Sequence, residues 1–257
     1  MIDEILEIVS VHRFRFALSA FFVGALAVPL HAAGPWIRLF DGHSFAGWRS
    51  PSGQTDLAGA WRIAGGTLSV RPHVQHRTDL WTTAEFDNFE LEWEWMAQPG
   101  ANSGIKYWVQ DATTLVVVKE DEEWRRVPDP AHAAAGDITI EYSRGFEYQM
   151  AAPDEPTALV KPLARAGALY ELIPPVPESV RPARQWNKSR LVVRDGRIEH
   201  WLNGKRVVNA PLERIESVMR ARPPNFKLER RRGPIALQIS PNCGDLSPDT
   251  RAAALGY

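Results

Sequence analysis

Strict alternation of apolar and polar residues is the feature that most constrains how this chain folds. In FELEWEW, residues 89–95, a leucine and two tryptophans fall on one face, and Glu90, Glu92 and Glu94 fall on the other. A period of two places successive side chains on opposite sides of a β-strand. The segment therefore predicts a strand with one face against the core and one face toward solvent.

Two short corners divide residues 188–208 into further segments of this kind. Asp195-Gly196 and Asn203-Gly204 favour the positive backbone angles of tight hairpins, so the region predicts a three-stranded meander. Residues 211–219 have the pattern of a short helix. Many short strands with turn residues between them predict an all-β domain, either a sandwich or a jelly roll.

The composition limits the function classes. A chain of 257 residues with 44% hydrophobic residues buries a full core, and 30 basic against 31 acidic residues leave no strongly basic face for nucleic acid. The single cysteine, Cys243, excludes an intrachain disulfide. His73 and His76 lie in a polar loop without further ligands, and no glycine-rich phosphate loop is present. We therefore expect neither a metal nor another cofactor.

The first 33 residues differ from the rest of the chain. Arg13 and Arg15 precede an apolar run over residues 16–30, and two alanines follow. This order is typical of an export signal, and the run is too short to predict a membrane span. Acidic residues before Val11 do not fit a signal, so we expect translation to begin at Val11. We predict an exported protein, periplasmic or extracellular, with a domain over residues 34–240 and an atypical tail over 241–257.

His200 is the first candidate for chemistry. In RIEHWLNGKRVV, residues 197–208, Ile198, His200 and Leu202 share one strand face. One interpretation is a core histidine with a satisfied ring nitrogen. The other is a general base, because desolvation favours the neutral imidazole that a base requires. The strand alone leaves both interpretations open.

Three other stretches place polar groups at defined positions. Glu147 and Gln149 point the same way from RGFEYQMA, either as ordinary solvent-side residues or as the floor of a sugar groove. Asn102 opens a strand at a turn-like NSG, and Tyr170 lies in the apolar run AGALYELIPP, where it reads as a loop anchor. Each signal is weak when taken alone.

In their order along the chain, these stretches resemble the 3-keto-disaccharide hydrolase domain family. The resemblance covers about residues 36–238 and rests on NSGI at 102–105, EYQ at 147–149, GALY at 167–170, HWLNG at 200–204 and GPIALQ at 233–238. It implies a concanavalin A-like β-sandwich of two antiparallel sheets, with a concave face that holds a sugar. This fold agrees with the sandwich predicted from the alternation.

The same resemblance implies an activity on a carbohydrate. Family members cleave glycosides already oxidised to a ketone at carbon 3, where a base removes the acidified hydrogen from carbon 2, the glycosidic oxygen leaves, and water adds back. His200 and Glu147 match the acid and the base, in either order. The implied substrate-binding residues are Asn102, Lys106, Gln149 and Gln238 near the sugar oxygens, and Tyr170 with Trp108 or Trp201 as stacking surfaces. A sugar 3-dehydrogenase is the expected partner in the same pathway.

The end of the chain departs from the family. GPIALQ is followed by ISPNCGDLSPDTRAAALGY, which has no strand alternation. Loss of the final strand would leave an unpaired sheet edge, which predicts a less stable or inactive product. Two alternative functions remain: a non-catalytic, lectin-like carbohydrate-binding module, and a laminarinase-like hydrolase whose alternate glutamates at 90, 92 and 94 lie about 7 Å apart.

Overall fold

The computed structural model describes residues 7–16, 36–71, 74–120, 123–127 and 137–239. Strands contain far more of these residues than helices do, which confirms the predicted all-β class. The first seven strands are β1 Glu7–Phe16, β2 Trp48–Arg49, β3 Trp61–Ala64, β4 Thr67–Val70, β5 His76–Thr78, β6 Leu80–Thr82 and β7 Phe89–Met96. The next seven are β8 Asn102–Glu120, β9 Glu123–Val127, β10 Ile138–Ala151, β11 Asn187–Arg194, β12 Arg197–Leu202, β13 Lys205–Pro211 and β14 Ala236–Leu237. The helical elements of the described ranges are α1 Pro156–Val160, a 3-10 turn at Pro162–Ala164, and α2 Leu212–Ala221.

The strands form two sheets that pack face to face. Sheet A has the order β13-β12-β11-β7-β1-β4-β3. Sheet B has the order β2-β6-β14-β8-β10-β5, with β9 paired to β8. Among the strand pairs of the described residues, β5 with β10 is parallel and the others are antiparallel. The architecture is the predicted β-sandwich.

The predicted meander is observed in sheet A. Strands β11, β12 and β13 follow one another in space, and β7 pairs with β11 on the other side. Asp195 and Asn203 occupy the two corners with φ angles of 50° and 49°. The helix after the meander begins at Leu212, one residue later than predicted, because Pro211 still belongs to β13.

Aromatic rings from both sheets fill the layer between them. Trp93 of β7 packs edge-on against Tyr148 of β10, with ring centroids 4.8 Å apart. The buried indole of Trp95 donates from Nε1 to Ser189 Oγ at 2.9 Å. Such a partner is needed because a buried N–H without a hydrogen bond is costly. The apolar face predicted for β7 is thus the sheet A wall of the core.

The predicted export signal and tail are only partly covered by the structure. Residues 7–16 form β1, between β7 and β4 in sheet A, while the rest of the predicted signal lies outside the described residues. The predicted tail, residues 241–257, also lies outside them. Export and the effect of the tail therefore stay predictions. Across the described ranges, we find no helix with the length and apolarity that a membrane crossing requires.

A close approach of two backbones fixes the position of the segment that leads into β14. Gly233 exchanges two hydrogen bonds with Phe86, of 2.8 and 3.1 Å, and also faces the backbone of Val109 in β8. A Cβ atom at position 233 would lie 2.4 Å from Val109 O and 2.8 Å from Val109 N. Because these are backbone atoms of a central strand, only glycine fits without moving a strand.

Gly233→Ala is expected to lower the free energy of unfolding by about 1–3 kcal/mol, because the added methyl group overpacks against the backbone of β8. Urea unfolding followed by tryptophan fluorescence measures this change. Gly59→Ala is the matched control, since a Cβ at position 59 meets no atom within 4 Å. Equal unfolding free energies for the two variants would contradict the expectation.

Candidate functional site

One face of sheet B, turned away from the core, carries most of the predicted site residues; we call it the site face. On it, Glu147 of β10 stands directly beside Lys106 of β8. In the next row, Gly104 stands beside Gln149, and Gln238 donates its backbone N–H to Gly104 O at 2.9 Å. The residues between these positions on β8 and β10 point into the core, because side chains alternate along a strand.

A further segment extends the site face beyond β10. Gly167 N–H donates to Gln149 O at 2.8 Å, Gln149 N–H donates to Ala168 O at 3.1 Å, and Tyr170 N–H donates to Glu147 O at 3.0 Å. The segment from 167 to 170 therefore pairs with β10 as an added edge strand. The same alternation places Tyr170 on the face that carries Glu147.

The carboxyl group of Glu147 lies over Gly104. A Cβ atom at position 104 would lie 2.3 Å from Glu147 Oε1 and 2.8 Å from Glu147 Cδ, so the missing side chain leaves the room that the carboxyl group occupies. Burial raises the pKa of Glu147 to about 7; the Lys106 ammonium opposes this rise, and the charges of Asp79 and Glu171 add to it. Glu147 is therefore present in both protonation states near neutral pH.

Lys106 is buried among defined partners. Its Nζ donates to Ser143 O at 2.7 Å, lies 3.9 Å from Glu147 Oε2 and sits 3.3 Å from the ring centroid of Tyr142. Burial alone would lower the pKa of Lys106, but Tyr142, Glu147 and Asp79 outweigh it, and the pKa is raised. Lys106 therefore keeps its positive charge beside Glu147.

Asp79 is a further buried carboxyl group near Lys106 and Glu147, and the sequence analysis did not identify it. Its Oδ2 accepts hydrogen bonds from Ser143 N at 2.9 Å and from Ser143 Oγ at 2.5 Å, and its Oδ1 accepts one from Ile239 N at 2.9 Å. Burial raises the pKa of Asp79, and Lys106 opposes that rise. Asp79 thus fixes Ser143, whose carbonyl in turn holds Lys106. In the sequence Asp79 is a single acid in RTDLW, and nothing in its spacing indicates this role.

Two carboxamides flank Gly104 and offer acceptor oxygens. Gln149 donates from Nε2 to Asn102 Oδ1 at 3.3 Å. Within the described residues, Gln149 Oε1 and Gln238 Oε1 are buried and accept no hydrogen bond. A buried acceptor without a donor costs free energy, so the pair indicates a place where hydroxyl groups of a ligand donate.

His200 does not lie on the site face, which corrects the expected pairing with Glu147. The imidazole is fully buried between the sheets, with Nδ1 3.0 Å from Gly167 O and Nε2 3.0 Å from Tyr107 Oη. Because a carbonyl group only accepts, Nδ1 carries a hydrogen. Burial lowers the pKa of His200 and so favours the neutral ring, in which Nε2 accepts from the tyrosine. The ring also packs 4.6 Å from that of Tyr148, whose neighbour Glu147 points to the other side of β10. The backbone of sheet B therefore separates the two groups, and the contacts are those of a core histidine.

Neither tryptophan expected to stack on a sugar lies on the site face. Trp108 is buried, donates from Nε1 to Asp87 O at 2.8 Å and packs against Phe146. Its φ of 48° accompanies a break in the register between β8 and β10, and the irregular backbone turns this side chain toward the core. Trp201 lies on the outer face of sheet A, where the guanidinium groups of Arg190 and Arg206 stack on it.

The alternating glutamates of β7 lie on the outer face of sheet A. Glu90 pairs with Arg190 at 2.7 Å, and Glu92 pairs with Lys188 at 4.0 Å. Ion pairs across neighbouring strands thus engage two of the three glutamates. They give no support to the laminarinase-like alternative, which needs two carboxylates that face a substrate.

The structure thus brings together six of the nine predicted site residues. Those on the site face are Asn102, Lys106, Glu147, Gln149, Tyr170 and Gln238. Sequence reasoning missed Asp79, Ser143 and Glu171, which surround them. Across the residues that the structure describes, no three His, Cys, Asp or Glu side chains are grouped as ligands of a metal ion.

Comparison with known proteins agrees with this arrangement of the chain. Residues 35–243 match the family described as 3-keto-alpha-glucoside-1,2-lyase-like domain. The 3-keto-disaccharide hydrolase of Bacteroides thetaiotaomicron is 30% identical over 239 residues, which cover 89% of this chain and 75% of that protein. A crystal structure from Parabacteroides distasonis, described as a "putative glycosyl hydrolase", aligns with a TM-score of 0.56 and 24% identity, over 78% of this chain and 85% of the other. This last likeness concerns the fold alone.

The buried His200 predicts that its own contribution to stability is lost in mild acid. Burial lowers the pKa of His200 from 6.5 to about 4, although hydrogen bonds to Gly167 and Ala168 oppose the change. Above pH 6.5 the imidazole is neutral in both states, whereas between pH 6.5 and 4 only the unfolded chain takes up the proton. The contribution of His200 to stability is therefore lost as the pH falls through this window, by up to about 3 kcal/mol, whereas the raised pKa of Glu147 contributes with the opposite sign over the same range.

Urea unfolding between pH 7.5 and 5 tests this expectation. His200→Gln should lower stability at pH 7.5, and the difference in stability from the parent should shrink as the pH falls below 6.5, because the titrating group is gone. His43→Gln, at an exposed histidine, should keep the pH dependence of the parent. A difference between His200→Gln and the parent that is the same at every pH would contradict the assignment.

Removing the ammonium beside Glu147 predicts a change in its pKa. In Lys106→Met, the charge that favours the carboxylate is lost, so the pKa of Glu147 should rise above its value of about 7. Carbon-13 NMR titration of the glutamate carboxyl groups measures it. Lys188→Met, at a surface lysine of sheet A, is the control and should leave this titration unchanged. A Glu147 titration that stays in place or moves to lower pH in Lys106→Met would refute the proposed coupling.

Proposed function

The chain belongs to the 3-keto-alpha-glucoside-1,2-lyase-like domain family, and on that premise we propose that it is an enzyme that cleaves the glycosidic bond of 3-keto-glycosides. The observation that carries this proposal is the buried carboxyl group of Glu147, whose pKa is raised to about 7 on a face lined by amides and a lysine. A general base is most effective when its pKa lies near the working pH, which supports this group as the base.

The chemistry begins at the ketone. A carbonyl group at carbon 3 acidifies the hydrogen on carbon 2, and the Glu147 carboxylate takes it as a proton. The electron pair of that C–H bond forms the double bond between carbons 1 and 2, and the glycosidic oxygen leaves carbon 1 and takes a proton from a water molecule. The hydroxide formed from that water then adds at carbon 1, while the protonated Glu147 returns its proton to carbon 2. One carboxyl group with a pKa near 7 serves both directions of this transfer.

The neighbours of Glu147 hold the sugar and tune the base. The unpaired acceptor oxygens of Gln149 and Gln238 receive hydrogen bonds from ring hydroxyl groups. Lys106, 3.9 Å from Glu147, keeps part of the Glu147 population ionised in spite of burial and offers positive charge near the developing enolate. Tyr170, on the same face, provides a ring edge or a flat surface for the sugar.

The substrate chemistry also implies a supplier. A 3-keto-glycoside forms by oxidation of carbon 3 of a glycoside, and we assign that upstream step to a sugar 3-dehydrogenase. The predicted export signal would place the reaction in the periplasm or outside the cell.

Turnover of 3-keto-trehalose, measured beside unoxidised trehalose, tests the function. The parent protein should cleave the ketone and leave the plain disaccharide intact. Its kcat/KM should rise with pH through about 7 and then level off, because only the deprotonated Glu147 accepts the carbon 2 hydrogen. Glu147→Gln should lower kcat/KM by about 10²–10⁴-fold, the usual contribution of a general base.

Glu199→Gln is the matched control, since Glu199 lies on the outer face of sheet A and bonds Trp201 and Arg206. It should retain the parent rate. If the parent binds the ketone but does not cleave it, the lectin-like alternative is correct. Cleavage of plain trehalose at a similar rate would contradict the elimination mechanism.

A further inference from the structure

A cavity of about 680 Å³ opens at one end of the site face; we call it the side cavity. Its volume lies within the range of roughly 300–1,000 Å³ that is usual for small-molecule sites. It lies between the end of α1 with the 3-10 turn, the residues after the added edge strand, and the loop that follows α2. The proposed reaction at carbons 1 to 3 of the sugar does not need this cavity.

Two residues that line the side cavity are also neighbours of Glu147. Tyr170 lines it, and the backbone N–H of Tyr170 bonds Glu147 O at 3.0 Å. Glu171 also lines it and is close enough for its charge to raise the pKa of Glu147. A sugar held over Glu147 therefore has the side cavity next to it, where the group attached to carbon 1 can be accommodated.

Much of the cavity wall is apolar and stiff. Its apolar lining residues are Val160, Pro162, Leu163, Ala164, Pro223 and Pro224. The Val160 side chain is 75% exposed, and that of its neighbour Leu159 is 60% exposed, so apolar surface is presented to solvent at this end of α1. Clustered exposed aliphatic side chains are uncommon on a protein surface unless they contact a ligand or a partner.

Such a wall suits one class of leaving group better than another. A second sugar would bring hydroxyl groups that need hydrogen-bonding partners, and six of the eleven lining residues are prolines or aliphatic residues, whose side chains supply none. A planar aromatic ring buries apolar area against the same wall and gains from it. Lys161, Arg222 and Asn225 add polar groups to the lining, which suits phenolic or other polar substituents on such a ring.

We propose that the side cavity holds the leaving group of the substrate and selects glycosides with an aromatic aglycone over disaccharides. This inference rests on the proposed function, because it assigns the part of the substrate that departs from carbon 1. It also predicts that the chain differs in specificity from a relative whose name refers to 3-keto-disaccharides.

Two matched substrates isolate the cavity from the chemistry. Methyl and benzyl 3-keto-glucosides of the same anomer release alcohols of similar acidity, so the bond cleavage is comparable and the difference lies in the ring. The parent should show a kcat/KM for the benzyl compound at least about tenfold above that for the methyl compound, a modest gain for burying a phenyl ring.

Val160→Asp places a charge on the apolar wall and should lower the benzyl-to-methyl ratio at least about threefold. Leu163→Gln changes a second wall position and should lower the ratio in the same direction. Val176→Asp is the matched control, because Val176 is 72% exposed and lies outside the cavity lining, so the ratio should equal that of the parent.

The outcomes separate the two proposals. Turnover of both ketones with a ratio near one, or a ratio that Val160→Asp and Leu163→Gln leave unchanged, would overturn the cavity inference and leave the proposed function standing. Failure to cleave either ketone would overturn the proposed function and this inference with it. A raised ratio in the parent that falls in both cavity variants and persists in Val176→Asp supports the assignment.

Discussion

The buried layer of aromatic rings between the two sheets is the constraint on which the rest of the structure depends. Strands β8 and β10 give every second residue to that layer, among them Tyr107, Phe146 and Tyr148, which are almost completely buried. Burial of apolar surface such as these rings is the main contribution that favours folding of the sandwich. Once these rings are committed inward, the pleat leaves Lys106 and Glu147 no position except the site face. The geometry of the site is therefore a consequence of core packing.

Three charged groups of the site, those of Asp79, Lys106 and Glu147, are buried, which is unusual for ionisable side chains. Two carboxyl groups, Asp79 and Glu147, share one ammonium, that of Lys106, and backbone or hydroxyl donors satisfy Asp79. Desolvating three such groups is expensive, and the arrangement persists because each has a defined partner. The balance leaves Glu147 as the group whose protonation changes near neutral pH. Strongly shifted pKa values are concentrated at functional sites, which is why we assign the proposed base to this position.

The sequence predicts the strands well and the site incompletely, for physical reasons. Alternation in β7 and the Asx-Gly corners of the meander are local signals, and the structure contains both elements. The two faces of β10 also follow from alternation, which is why Glu147 and Gln149 were found. Which face of β12 meets which face of β10 is a long-range property, and it decides that His200 is in the core.

Irregular backbone and isolated residues account for the remaining differences. Trp108 stands at a break in register that no periodicity reports, so its direction could not be read from spacing. Asp79 lies 64 positions from Ser143, the residue that it holds, and a single acid next to a short strand carries no pattern. A polar residue whose role is a hydrogen bond to a backbone atom far away in the sequence leaves no local pattern by which it could be predicted.

The position of His200 has a consequence for how this protein is studied by mutation. Its imidazole joins β12 to Tyr107 on one side and to the carbonyl of Gly167 on the other, and Gly167 begins the segment that carries Tyr170. Loss of these two hydrogen bonds would let the added edge strand beside Glu147 change position, although no reacting group had been altered. A mutagenesis screen scored by product formation alone would then count a structural histidine among the groups that perform the chemistry.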